Sequence, residues 1–249
     1  MNALILLLTL LFLAACGHPK QTRISVPPPA EPPSTEAGAG RPEGAAKSDR
    51  APESDVDLAE PAIPASTPPL TSETGLASWY GPPYHNRRGS NGEVYNMHAM
   101  TAAHRTFPLG SVVRVTNLKT GHTALVRITD RGPFIPGRIL DLSLAAARKV
   151  DVYTPGVAEV RVELMQAAAP LTGGKWAVQI GGFPDEGAAI KLADHLTHRY
   201  RTAKVLRFAS PAGDWWIRVR VLNDDRDRAT KLAAESRTPE GGIFLVRLD

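Results

Sequence analysis

The chain has a single cysteine, Cys16, so no disulfide can form within it and each folded part must hold by its core. Residues 17 to 73 have almost no large apolar side chains. Such a stretch buries too little surface to offset the entropy of ordering, and it builds no core. There is no long Lys/Arg run and no nucleic-acid-binding motif, and the formal net charge of +4 is modest. Nucleic acid is therefore not an expected partner. His85, Glu93, His98, His104 and His122 lack the HxxxH-type spacing of a metal site, so no metal and no other cofactor is expected. The apolar run from Ala3 to Leu13 is too short to span a bilayer.

That short run suits the core of a secretory signal instead. It ends in Leu13-Ala14-Ala15-Cys16, which resembles a bacterial lipobox. The resemblance implies that residues 1–15 are a signal peptide and that Cys16 is lipidated, anchoring the chain to a membrane. Gly17 follows, where lipoproteins kept in the inner membrane often carry Asp, so the outer membrane facing the periplasm is expected. An anionic envelope polymer is an available partner there.

Residues 16–73 read as the lipidated cysteine and a disordered tether rich in Pro and Ala. At ~3 Å per residue in polyproline-like stretches, the tether reaches on the order of 100 Å. The rest suits two small domains, residues 74–166 and 173–249, separated by the small-residue break QAAAPLTGG.

The first domain reads as short strands: GLASWYG, SVVRVTNL, a turn around Gly121, TALVRITD, RILDLS and VAEVRVELM. One helix is predicted from Leu144 to Val150, with Ser143 as its N-cap. Many short strands and no βαβ rhythm predict a small closed barrel. The strings Ala-Ser-Trp-Tyr-Gly, Asn-Gly-Glu, Thr-Ala-Ala-His and Asp-Arg-Gly-Pro-Phe occur in that order. They resemble the rare lipoprotein A family, which implies a double-psi β-barrel and endolytic peptidoglycan lytic transglycosylase activity. Glu93, His104 and Asp130 stand where that family places candidate active-site residues; His104 is either a groove residue and proton partner or a core histidine hydrogen-bonded to backbone. Asp141, in Leu-Asp-Leu-Ser, resembles the aspartate of the His-Phe-Asp string of expansins. The match is not complete: Asn86 replaces a usual Gly, and Gly89-Ser90 replaces Thr-Ala.

Cleaving a β-1,4 glycosidic bond requires a proton for the leaving oxygen while positive charge builds at the anomeric carbon. In a transglycosylase the sugar's own 6-hydroxyl then attacks, leaving a 1,6-anhydro end. Asp130 suits the acid, since it ends an apolar strand and the chain turns at Gly132-Pro133. Contact with Arg131 would lower its pKa and oppose that role. Asp141, between Leu140 and Leu142, reads as holding an arginine or a turn, with a direct catalytic role or substrate contact as the alternative. Glu93 follows the turn signal Asn91-Gly92 and is either a groove residue or an exposed turn carboxylate. Trp79 and Tyr80 either stack on sugar rings or plug the barrel end.

The second domain runs strand, helix, strand, strand, helix, strand, an α+β ferredoxin-like order. The apolar face of its first helix is Ala189, Ile190, Ala193 and Leu196. Val178-Gln179-Ile180-Gly181-Gly182-Phe183 and Ile217-Arg218-Val219-Arg220-Val221 resemble the two motifs of the SPOR domain, although Leu222-Asn223 replaces a usual Gly-Pro. That resemblance implies binding to glycan strands stripped of stem peptides at division sites. Period-2 alternation puts Trp176, Val178 and Ile180 against the helices, and Gln179, Trp216, Arg218 and Arg220 on an open sheet face. Together the resemblances imply a septal enzyme acting on denuded glycan, with division proteins as possible partners. A non-catalytic, wall-binding or wall-loosening lipoprotein is the alternative.

Overall fold

The computed structural model describes residues 59–210, 213–238 and 241–249. The expected signal segment, Cys16 and the linker as far as residue 58 lie outside the described residues, as do Pro211 and Ala212.

Six strands close a barrel: β1 (Thr71–Trp79), β2 (Thr101–His104), β3 (Val112–Asn117), β4 (Thr123–Asp130), β5 (Arg138–Leu142) and β6 (Ala158–Gln166). Their order around the barrel is β1-β5-β2-β4-β3-β6. The pairs β1–β5 and β2–β4 are parallel, whereas the other neighbours are antiparallel. β1 begins at Thr71, three residues inside the span assigned to the linker. β2 is absent from the strand reading of the sequence. It is only 4 residues long and buried throughout, so it shows no alternation to reveal it.

Alternation works well elsewhere. Val113, Val115, Val126, Ile128, Leu140, Leu142, Val160, Val162 and Leu164 are all 0% exposed and fill the barrel. Each such side chain contributes about 1.5–3 kcal/mol by leaving water. Helix α1 (Leu144–Lys149) starts as predicted: the Ser143 hydroxyl accepts from the Ala146 N–H and donates to the Ala99 carbonyl.

The second domain comprises β7 (Trp176–Phe183), α2 (Glu186–Arg199), β8 (Lys204–Ala209), β9 (Trp215–Arg220), α3 (Arg226–Glu235) and β10 (Gly242–Arg247). Its sheet is antiparallel in the order β10-β7-β9-β8. Asp185 and Asp225 cap the two helices by accepting backbone N–H groups. Trp176, Val178, Ile180, Ile217 and Val219 pack with Ala189, Leu196, Ala229 and Leu232, so the helix-facing side of the sheet is as read from the sequence. Ile190 is an exception, with 36% of its surface exposed. β7 bulges after Gly181, where a Cβ would lie 2.7 Å from the Trp215 carbonyl oxygen.

The opposite face of this sheet is not open. Both domains belong to one compact unit, and Phe134 of the barrel lies 5.4 Å from the Trp216 ring and 5.7 Å from that of Phe244. Trp216 is only 7% exposed and Gln179 2%. The Arg247 N–H donates to the Arg105 carbonyl at 3.0 Å, and the Arg131 guanidinium donates to the Asp249 backbone oxygen at 2.6 Å. The expectation of a wholly exposed glycan-binding face is thereby corrected: the barrel covers much of it.

Candidate active site

β2 lies between β4 and β5 in the barrel wall, and one of its residues sets the site. Ala103 pairs with Asp130 of β4 and with Asp141 of β5. Residues in register on neighbouring strands point to the same side. The two carboxylates therefore rise from the same side, two strand spacings or ~10 Å apart at their Cα atoms, with only a methyl group between them. Asp130, Ala103 and Asp141 line a groove of about 400 Å³, within the range of small-molecule sites.

The two aspartates differ in setting. Oδ1 of Asp130 accepts from the Ser90 N–H at 2.9 Å, the Ser90 hydroxyl at 2.5 Å and the Arg131 N–H at 2.7 Å. The Arg131 side chain turns away, donating to the carbonyls of His104 and Phe107. Burial lowers its pKa to about 10, aided by Arg247 and partly offset by Asp130 and Asp249. Ser90, one of the departures from the family strings, thus touches the carboxylate directly. Sequence reasoning assigned it no role.

Asp141 is held by side chains alone. Its Oδ1 accepts from the Ser78 hydroxyl at 2.5 Å, and Nη1 of Arg138 donates to that same hydroxyl oxygen at 2.5 Å. The arginine thereby turns the serine proton toward Asp141. Burial raises the Asp141 pKa above the ordinary carboxylate value; Arg138, Ser78 and Arg105 pull it down, and Asp130 adds to the rise. Its flanking leucines point into the barrel core, so Asp141 is both a structural anchor and a groove carboxylate.

Other expected site residues fall elsewhere. His104 follows Ala103 on β2, and a strand turns successive side chains to opposite faces. Its ring is 3% exposed, stacks on Phe107 at 3.9 Å and meets Glu73 through Nε2 at 2.5 Å. Nδ1 accepts the N–H groups of Thr106 and Phe107, so Nε2 carries the proton given to Glu73. Burial holds the His104 pKa below its ordinary value, and Glu73 works against that. His104 is therefore placed outside the groove. Glu93 is also outside it. It pairs with Arg127 at 2.8 Å, which lowers its pKa, and shares only a small cleft with Asp130. Trp79 packs on the barrel core and on Tyr153 at 5.1 Å rather than lining the groove. Tyr80 does line it, stacked on Tyr95 at 4.2 Å.

The far wall of the groove belongs to the second domain. Gln179, Phe208, Trp216 and Arg218 line it. Arg220, expected on the same face, is absent from that wall and is engaged by Asp224.

Residues 72–162 match the family model described as lytic transglycolase, and residues 172–242 match the SPOR domain. Over 92 residues the chain is 53% identical to a protein named "Probable endolytic peptidoglycan transglycosylase RlpA" from Synechocystis; this covers 37% of the chain and 29% of the relative. It is 39% identical over 151 residues to an "Endolytic peptidoglycan transglycosylase RlpA" from Helicobacter pylori J99, covering 49% of the chain and 48% of the relative. The protein of the same name from Vibrio cholerae is 52% identical over 99 residues, which is 40% of the chain and 38% of the relative. These matches thus span less than half of the relatives' length. The barrel is a double-psi barrel, and it is followed by a SPOR domain.

Proposed function

We propose that the chain is an endolytic peptidoglycan lytic transglycosylase that cuts glycan strands lacking stem peptides and leaves 1,6-anhydro-MurNAc ends. The observation that carries this reading is the pairing of Asp130 and Asp141 across Ala103 in one groove. The printed names of the similar proteins point the same way.

In this account Asp141 is the acid, the role read from sequence for Asp130. Its raised pKa keeps the carboxyl protonated further up the pH scale. Because the Ser78 hydroxyl already donates to Oδ1, the acidic proton sits on Oδ2. That proton passes to the glycosidic oxygen as the bond from this oxygen to the anomeric carbon breaks. Asp130, fixed by three donors, presents its carboxyl group to the anomeric carbon. The sugar's 6-hydroxyl oxygen then bonds to that carbon and returns its proton to Asp141. No water is consumed, and the enzyme ends as it began. His104 and Glu93 act through the scaffold.

The anchor completes the proposal: residues 1–15 direct export, Cys16 is lipidated, and residues 17 to about 70 tether the enzyme to the outer membrane at the division septum. Division proteins are its possible partners there. The test is to incubate soluble protein with denuded peptidoglycan and identify anhydro-muropeptides by mass spectrometry. Wild type produces them, and Asp141→Asn loses 10²- to 10⁴-fold, the usual range for a general acid. Binding without product would favour the wall-loosening alternative.

A further inference from the structure

The groove that holds the two aspartates is closed on its far side by the guanidinium of Arg218, which has no carboxylate partner among the described residues. Nε and Nη2 of Arg218 donate to Oε1 of Gln179 at 3.2 and 2.7 Å, and Gln179 itself is 2% exposed. The Arg218 guanidinium lies 5.2 Å from the Phe208 ring centroid. Three contacts thus fix its direction, while Nη1 has no hydrogen-bond partner among the described residues. No carboxylate lies within 4.0 Å of it among those residues either. Burial lowers the Arg218 pKa, and the charge of Asp130 partly opposes this, so the two groups sense each other without pairing. A half-buried, oriented guanidinium with an open donor fits an anionic oxygen of a ligand.

We propose that the second domain completes the cleavage groove, and that Arg218 is a positioning residue that holds a substrate carboxylate beside Asp130 and Asp141. The proposal rests on the glycan-cleaving reading above and deepens it. MurNAc carries a lactyl group whose carboxyl is bound to the stem peptide as a neutral amide. Removing the peptide exposes the carboxylate, and only then does the sugar offer Arg218 an anion. An intact strand brings no charge to that position and adds a bulky chain. Selection for denuded strands is thus made within the cleavage groove, by one strand held between the two domains.

The domain contacts support a shared groove over two separate sites. Arg131 ties the barrel carbonyls of His104 and Phe107 to the Asp249 backbone oxygen. Phe134 sits among Trp216, Phe244 and Val246 on the same sheet face that carries Arg218. With this face docked on the barrel, the part left for a sugar polymer is the part that lines the groove.

The experiment compares the full chain with Arg218→Gln and Arg218→Lys on two substrates. One is denuded glycan, and the other is the same glycan with its lactyl carboxylates converted to neutral methylamides. Both are also prepared as oligosaccharides just long enough to fill one groove. For wild type, amidation raises KM on the order of tenfold, as expected for one charge-assisted hydrogen bond, and leaves kcat within about threefold. Arg218→Gln raises KM for the carboxylate substrate by a similar factor and no longer distinguishes the two. Arg218→Lys restores part of the preference. The short oligosaccharides show the same pattern, whereas a remote anchoring site would matter only for long strands. Unchanged discrimination in Arg218→Gln, or an effect confined to long strands, overturns the proposal. If wild type forms no anhydro product, the cleavage reading fails by itself. Equilibrium binding of the same substrates then decides whether Arg218 selects the carboxylate.

Discussion

Asp130 and Asp141 stand on either side of Ala103, each in register with it, so the two carboxylates share one face of the barrel wall. Ala103 is 4% exposed and forms the floor between them. Replacing it with Leu fills that floor while adding volume on the groove side only. Ala103→Leu should keep a cooperative thermal transition, at a cost of about 1–3 kcal/mol. Its yield of anhydro products should fall at least about a hundredfold, because small misplacements of reacting groups are costly. Product analysis beside a melting curve checks both parts.

The Asp141 pKa is raised chiefly by burial, and Arg138 pulls it down. An acid catalyst needs its proton, so activity should fall as pH rises through the Asp141 value. Arg138→Ala removes the nearest lowering charge and should move that alkaline limb to higher pH. A pH profile of kcat/KM measures the shift.

Stability carries the opposite imprint. A carboxyl with a raised folded-state pKa favours folding below its unfolded pKa, and that contribution is lost as pH rises through the folded value. Asp141→Asn avoids burying the charge. It should therefore raise Tm relative to wild type near neutrality and lose the advantage at strongly acid pH. Thermal melts across pH show whether the difference appears.

Ser90 gives Asp130 two of its three hydrogen bonds, one from the backbone and one from the hydroxyl. Ser90→Ala removes only the hydroxyl. The expected loss is about 1 kcal/mol of transition-state stabilisation, roughly a fivefold drop in kcat/KM. An unchanged value would mean that the hydroxyl contact does not serve the reaction.

Much of this molecule is legible in its sequence, and the failures share a physical cause. Leu140 and Leu142 alternate with Asp141, so the parity of β5 alone directs Asp141 away from the core. β2 offers no such guide. All four of its residues are buried, so Ala103 and His104 look alike in pattern although they face opposite sides. Family strings then drew attention to the histidine, and the alanine beside it is the residue at the groove. The second sheet shows the same limit. Its two faces can be separated by alternation, but the Phe134 that covers one of them comes from the other domain. Contacts between distant segments leave no local periodicity to read.

His104 checks that correction. His104→Ala removes the acceptor of two backbone N–H groups and the partner of Glu73. It should cost about 2–3 kcal/mol in urea unfolding. Well below its Tm, however, kcat should change less than about threefold, since the ring does not line the groove. A large loss of kcat in a folded variant would place the imidazole in the chemistry.

The most direct test of the central claim is mass spectrometry of products formed from denuded glycan in heavy-oxygen water. Wild type should release ends that carry the 1,6-anhydro ring and no solvent oxygen, and Asp141→Asn should release almost none. Labelled reducing ends, or equal anhydro product from Asp141→Asn, would contradict the account.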